Sequence, residues 1–219
     1  MIILLSPAKT MNLRHPKEIF NCLYKNDAIK LRTPLTSMSI KSLMTFFNIS
    51  KDVASKTKSY YLDTHTYLVY DLFDGIGYRI LKQLSPHIPK KIYTLSGLYG
   101  LLSMSDTVYP YRLDLKHPKK GSIVSFWKNK LYETLKDENI IISCLSSEYE
   151  VLLDDKLPVI KVDIMKGSKK APSVDAKKVR AALAAFLEQF ELDQMTQFSF
   201  EGYTCQSFQD HNIIIHQHH

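Results

Sequence analysis

The chain has 219 residues, 45% of them hydrophobic, and carries 29 Lys and Arg against 22 Asp and Glu, a formal net charge of +7. That length supports one sizeable core, and the charge favours phosphate-bearing partners over acidic ones. No apolar run reaches the ~18 residues that span a bilayer, the opening aliphatic run is too short for a signal-peptide core, and Cys22, Cys144 and Cys205 form no CxxC pair, which points to a cytoplasmic protein with reduced thiols and no membrane partner.

The first element is the aliphatic run Ile2–Leu5. Its composition is that of a central strand covered on both faces, and Pro7 in "SPAKT" ends the ladder because proline has no N–H to donate. Lys9, flanked by Ser6 and Thr10, is therefore expected at the strand exit, facing a crevice, partly buried, and meeting Glu148, Glu201 or a bound anion. From Asn12 to about Pro34 the signals are mixed. Within residues 39–60, Ile40, Leu43, Met44 and Phe47 recur at i, i+3, i+4 and i+7 of one helix, Asn48 suits a turn, and Ser50 suits the N-cap of a second helix. A pair joined this tightly is similar to a helix-hairpin-helix with Asn in place of the usual glycine; a plain core helix pair has the same pattern.

"LVYDLFDGIGYRILKQL" reads as a helix bounded or interrupted near Gly75 and Gly77, glycines that serve close packing. Ile92–Leu95 reads as a strand with Gly97 and Gly100 in a tight structure at its end, and Val108–Leu115 as an extended piece broken by Pro110. "GSIVSFWKNKLYETL" predicts a helix with Phe126, Leu131 and Leu135 apolar. "NIIISCL" and "PVIKVDIM" predict buried strands, "DAKKVRAALAAFLEQF" an amphipathic helix capped by Asp175, and "TQFSFEGYTCQSF" with "NIIIHQ" a terminal strand pair. Helices and strands alternate without repeat or linker. The expectation is α/β: a single domain over residues 1–219, with a mixed β-sheet flanked by helices.

Three strands run into small or polar residues: Leu5 into "SPAKT", Leu95 into "SGLYG" and Leu145 into "SSEY". Ligands of open α/β sheets gather outside strand ends, so these tips are expected to share a crevice. Lys9 would bring a positive charge there, Ser6, Thr10, Ser96 and Ser147 hydroxyls, and Glu148 a carboxylate; Glu201 would join it if the last strands return to the first. "PAKT" lacks the glycines of a phosphate-cradling loop, and "GLYG" is no dinucleotide fingerprint. Arg112 beside Asp114 offers either a bidentate fork for a ligand or a structural ion pair. Lys177, Lys178 and Arg180 fall on the first turns of a helix, where cations oppose the macrodipole and call for an anion, and Lys166, Lys169 and Lys170 precede them. The tail histidines, His211, His216, His218 and His219, read as a solvated end or a tag remnant, so neither metal nor cofactor is expected.

"LLSPAKT", "LSGLYGLL", "YPYRLDL", "FW", "SSEY", "AKKVR" and "FEGY", in this order across nearly the whole chain, resemble the YaaA family of bacterial peroxide-stress proteins. The resemblance implies a cytosolic α/β protein that limits oxidative damage and free iron and binds DNA through a basic cleft with a helix-hairpin-helix element. By position it implicates Ser6, Lys9, Thr10, Ser96, Gly97, Tyr99, Gly100, Tyr111, Arg112 and Trp127. Glu148, Tyr149, Lys177, Lys178, Arg180, Glu201, Gly202 and Tyr203 complete the set. Val174 and Asp175 stand where relatives tend to carry aromatic residues, Ala181 stands where glycine is usual, and residues 150–175 look compressed, which implies a shorter cleft wall and altered DNA contact.

Two functions follow as expectations. The first is a DNA-binding protein of the peroxide-stress response, contacting the phosphates of duplex or distorted DNA with weak sequence preference through Lys9, Arg112, Lys177, Lys178 and Arg180. The second is an enzyme acting on a phosphate-containing or nucleobase-like small molecule, with Lys9, Glu148 and Glu201 in acid–base roles. A protein-interaction module induced by stress is the blander third class.

Overall fold

The structure, a computed structural model, describes residues 1–115, 120–209 and 212–217. The aliphatic run forms β1 (Ile2–Leu5), all four residues buried. It is central, flanked by parallel strands on both sides: Ile3 lies level with Ile92 of β4 (Ile92–Ser96) on one side and with Ile142 of β7 (Ile141–Cys144) on the other. Continuous aliphatic sequence without alternation is what a parallel strand covered on both faces requires.

Between β1 and β4 the chain builds β2 (Pro16–Lys17), α1 (Lys25–Thr36), α2 (Ile40–Phe47), α3 (Lys51–Leu62), β3 (Thr66–Leu68), α4 (Val69–Leu72) and α5 (Ile76–Leu84). After β4 come β5 (Gly100–Ser103), β6 (Thr107–Val108), α6 (Lys120–Leu135) and β7. The chain then forms α7 (Ser147–Glu150), β8 (Val159–Lys166), β9 (Lys169–Lys170), α8 (Ser173–Gln189), a 3-10 turn (Leu192–Gln197), β10 (Ser199–Phe200), β11 (Tyr203–Gln209) and β12 (Asn212–Gln217). Among the described residues the main sheet has nine strands in the order β10-β11-β12-β8-β7-β1-β4-β5, with β9 paired to β8. Its centre, β12-β8-β7-β1-β4, is parallel, and antiparallel hairpins close both margins. The α/β class and mixed, helix-flanked sheet read from the sequence are therefore present. A small antiparallel sheet, β2-β3-β6, stands apart.

The tight helix pair forms as its sequence suggests. Ser39 and Ser50 cap α2 and α3 by accepting from the amides of Ser42 and Val53, and Asn48 ends α2 in the left-handed conformation (φ 50°). Leu43 and Phe47 are buried, whereas Ile40 is 37% exposed.

Elsewhere the boundaries differ. The mixed stretch before Pro34 contains α1, with Pro34 inside its last turn. "LVYDLFDGIGYRILKQL" is interrupted at Gly75 as read, with α4 before it and α5 N-capped by it, but its first residue, Leu68, ends β3. Gly97 and Gly100 do belong to a tight structure at the end of β4, a turn over 97–99 that closes where Gly100 (φ 68°) pairs with Ser96 and opens β5, but only Thr107–Val108 of the next segment is strand. Asp175 sits within the first turn of α8, whose N-cap position is Pro172, because its carboxylate is engaged by the Tyr203 hydroxyl (3.2 Å) and Lys166 (3.6 Å).

Gly77 permits the packing of α5 on α8: a Cβ there would stand 3.0 Å from the Lys177 carbonyl and 3.6 Å from the Ala181 methyl. α8 in turn lies across β1, β7 and β8. On α6, the fully buried Trp127 donates its indole N–H to the Gly97 carbonyl at 2.8 Å, locking that helix to the end of β4.

Candidate functional site at the strand switch point

The chain leaves β1 to build β4 on one side and returns to build β7 on the other, so the strand order reverses at β1. In open parallel sheets that reversal leaves a crevice outside the carboxyl ends of the strands. Here its floor is hydrogen-bonded shut: Ser6 Oγ accepts from the Ser146 amide (2.9 Å) and lies 3.2 Å from the Ser146 hydroxyl, joining the exits of β1 and β7. Tyr78 brings in α5, donating to the Ser6 carbonyl (3.2 Å) and lying 2.7 Å from the Thr94 hydroxyl.

Above that floor, Pro7, Ala8, Lys9 and Met11 face Tyr111, Arg112, Leu113 and Asp114 across a narrow, solvent-open cleft, with Tyr149 of α7 at the end. Residues 109–115 form the opposite wall because β4 holds them there. Ser96 Oγ accepts from the amides of Leu98 and Tyr99 and donates to the Tyr111 phenol (2.8 Å), and a Cβ at Gly97 would collide with the Leu113 carbonyl. Tyr61, at the end of α3, donates to the Arg112 carbonyl.

The charged heart of the crevice is a triad. Asp114 Oδ2 lies 3.1 Å from Lys9 Nζ and 3.2 Å from Arg112 Nη2. Lys9 thus faces the crevice and is partly buried, as expected, but the carboxylate it meets here is Asp114. Burial pushes the Tyr149 phenol well above the tyrosine range, with Tyr111, Glu148, Asp114 and Tyr78 adding to the effect; burial likewise raises Tyr78 and Tyr111, which hydrogen bonds partly offset. These phenols are protonated donors at neutral pH, not bases.

The other residues singled out from sequence disperse along the same sheet edge. Glu201 and Gly202 form a two-residue hairpin tip, both with positive φ (46° and 79°), and Glu201 pairs with Lys178 at 3.0 Å. That tip lies four strand spacings from β1, roughly 19 Å, so Glu201 is not brought to Lys9. Tyr203 serves Asp175. Tyr99 is core, donating to the Tyr109 carbonyl and lining a separate hollow beside Arg32. Thr10 is exposed, its carbonyl accepting from the Asp74 amide. Lys177 is exposed on the first turns of α8. Arg180 is half-buried, close enough for its charge to act on the Cys144 thiol, and its Nε is buried without a hydrogen-bond partner. Lys170 pairs with Asp163 at 3.3 Å. Asp114, the residue that completes the triad, was visible in sequence only as a neighbour of Arg112, since nothing local says that Lys9 will reach it.

Burial raises all three thiols, Cys22 and Cys144 to about 12, so none is a thiolate nucleophile at neutral pH. Among the described residues no three His, Cys, Asp or Glu stand close enough to hold a metal ion, and no helix is long and apolar enough to cross a membrane. His216 Nε2 donates to the Gly167 carbonyl at 2.9 Å; His211, His218 and His219 lie outside the described residues.

Fold and site together define an open α/β protein with a cationic crevice at its switch point. The chain belongs to the peroxide stress protein YaaA family, whose model matches residues 1–208. It is 30% identical over 228 residues to a UPF0246 protein of Streptococcus sanguinis, with 93% of each chain covered. UPF0246 proteins of Legionella pneumophila (28% over 239 residues) and of a Shewanella species (28% over 243 residues) match over 93% of each chain as well.

Proposed function

We propose that this member of the peroxide-stress family binds DNA, duplex or distorted, mainly through phosphate contacts along the carboxyl edge of the sheet, and so acts in the cytoplasmic response to oxidative damage. One observation carries the proposal: because β1, β4, β7 and β8 are parallel, Lys9 beyond the β1 exit, Arg112 in the wall held against the β4 exit, and the first turns of α8 beyond β8 lie along one edge of the sheet. Cations gathered on one edge suit a regularly charged backbone, which supplies affinity without sequence readout. The α2–α3 pair adds a second phosphate contact through the capped amino end of α3, consistent with a helix-hairpin-helix in which Asn48 replaces glycine.

The cations are not equivalent. Lys178 is already paired with Glu201, whereas Lys177 is exposed. Anisotropy of a labelled duplex against salt should give a steep linear log–log dependence, shallower by about 1 in Lys177→Ala and by clearly less in Lys178→Ala. No binding at low ionic strength, or a slope indifferent to Lys177, would refute the proposal.

The competing function, an enzyme acting on a phosphate-containing or nucleobase-like small molecule, draws on the same crevice. Its support is the switch-point position itself, and with Glu201 distant it rests on Lys9, Glu148 and the Tyr149 donor.

A further inference from the structure

We infer that Asp114 is the specificity-determining residue of the crevice: its carboxylate is a built-in counter-ion held between Lys9 and Arg112 where a phosphate oxygen binds, and ligands enter by exchanging with it. The inference rests on the phosphate-binding function proposed above. Both cations converge on one oxygen, Asp114 Oδ2, and they arrive from different segments, the β1 exit and the 109–115 wall. Asp114 is 13% exposed while Lys9 is 52% exposed, so the carboxylate sits beneath the lysine, on the crevice side.

The triad is not needed to hold the wall in place. Ser96 fixes Tyr111, Tyr61 fixes the Arg112 carbonyl, Gly97 admits the Leu113 carbonyl, and Leu113 and Leu115 are buried. Nor does Asp114 satisfy Arg112. Elsewhere in the molecule Arg79 shows the complete side-on fork, with Nε 3.1 Å and Nη2 3.0 Å from the two oxygens of Asp74. Arg112 spends only Nη2 on Asp114, and its Nε is buried without a partner. A tetrahedral oxyanion has oxygens for both edges of that fork and for Lys9 at once; a carboxylate two residues along the same backbone does not.

Selectivity follows from tethering. Asp114 is always present at high effective concentration, so a lone phosphate competes poorly against it. A ligand with several linked phosphates, already held at Lys177, competes well. The carboxylate therefore turns a general anion site into one for polyanions.

The test is Asp114→Asn, which keeps shape and acceptor while removing the charge, with Asp114→Ser as a second variant; near-UV circular dichroism checks folding of each. Two titrations are run on the full chain and its variants: a labelled duplex by anisotropy, and inorganic phosphate by thermal shift. Removing a like charge from the binding position should lower the phosphate concentration for half-maximal shift at least about tenfold but tighten the duplex, which is also held by cations outside the crevice, by a clearly smaller factor, so that the preference for duplex narrows; equal gains for the two ligands would remove the specificity role. Wild-type duplex binding with unchanged or weaker affinity for both ligands in the folded variants overturns the role of Asp114 and leaves DNA binding standing. If no protein binds duplex yet the variants gain phosphate binding, DNA binding falls and the exchange stands. If neither ligand binds any of the proteins, both fall.

Discussion

Asp106 shows how one residue links burial to pH. Its carboxylate accepts from the Ser103 amide at 2.9 Å between β5 and β6, and burial, only partly offset by that bond, raises its pKa from 3.8 to about 6. Between those values the folded chain holds a proton that the unfolded chain has released, so the contribution of Asp106 to stability is full below about pH 4, falls as pH rises to about 6, and is level above. Asp106→Asn, whose side-chain oxygen preserves the bond to Ser103, should raise the melting temperature at pH 7.5 and leave it nearly unchanged at pH 4. Equal shifts at both values would show that the charge is not what burial penalises.

At the scale of elements, the helix pair is set by two residues. Asn48 occupies the left-handed region, which costs most L-residues about 1–2 kcal/mol. Asn48→Gly should be neutral or mildly stabilising, and Asn48→Val destabilising by at least about 1 kcal/mol in urea unfolding. Ser50→Ala should cost about 1 kcal/mol through loss of the α3 cap. These features were legible because a capping side chain and a turn residue act on their immediate neighbours. β1 and β7 were legible as well, since short apolar runs without alternation fit little besides buried strands, and β8 through the alternation of buried Ile160, Val162 and Ile164 with Lys161 and Asp163. α1 was not: only Ala28 and Leu35 of its twelve residues are buried, leaving no apolar stripe, and Pro34 looks like a terminator until its place in the final turn is seen. β2, β3 and β6, of two or three residues each, exist through mutual pairing and leave no local pattern.

The whole molecule brings the β1, β4 and β7 exits together because those strands are parallel neighbours, which is why three motifs far apart in sequence could be assigned to one edge. What sequence did not reveal is which cation meets which anion. Lys9 meets Asp114, and Glu201 meets Lys178, because partner choice depends on the lateral order of strands: the β10–β11 hairpin lies at the margin, not beside β1. The basic excess is thus partly neutralised at the edge, and the exposed or displaceable charges are the ones available to a ligand. The count of 29 Lys and Arg therefore overstates the cations free to meet a partner, while the net charge of +7 is unaltered by such pairing.

Phosphate binding at the switch point is tested most directly by Lys9→Ala. The side chain is half exposed and its removal leaves the Arg112–Asp114 pair in place, so folding should be retained. The measurement is duplex affinity as a function of salt, in wild type and variant. Loss of one phosphate contact predicts weaker binding at low salt and a log–log slope shallower by about 0.9. Identical affinity and slope in a folded Lys9→Ala protein would contradict phosphate binding in the crevice.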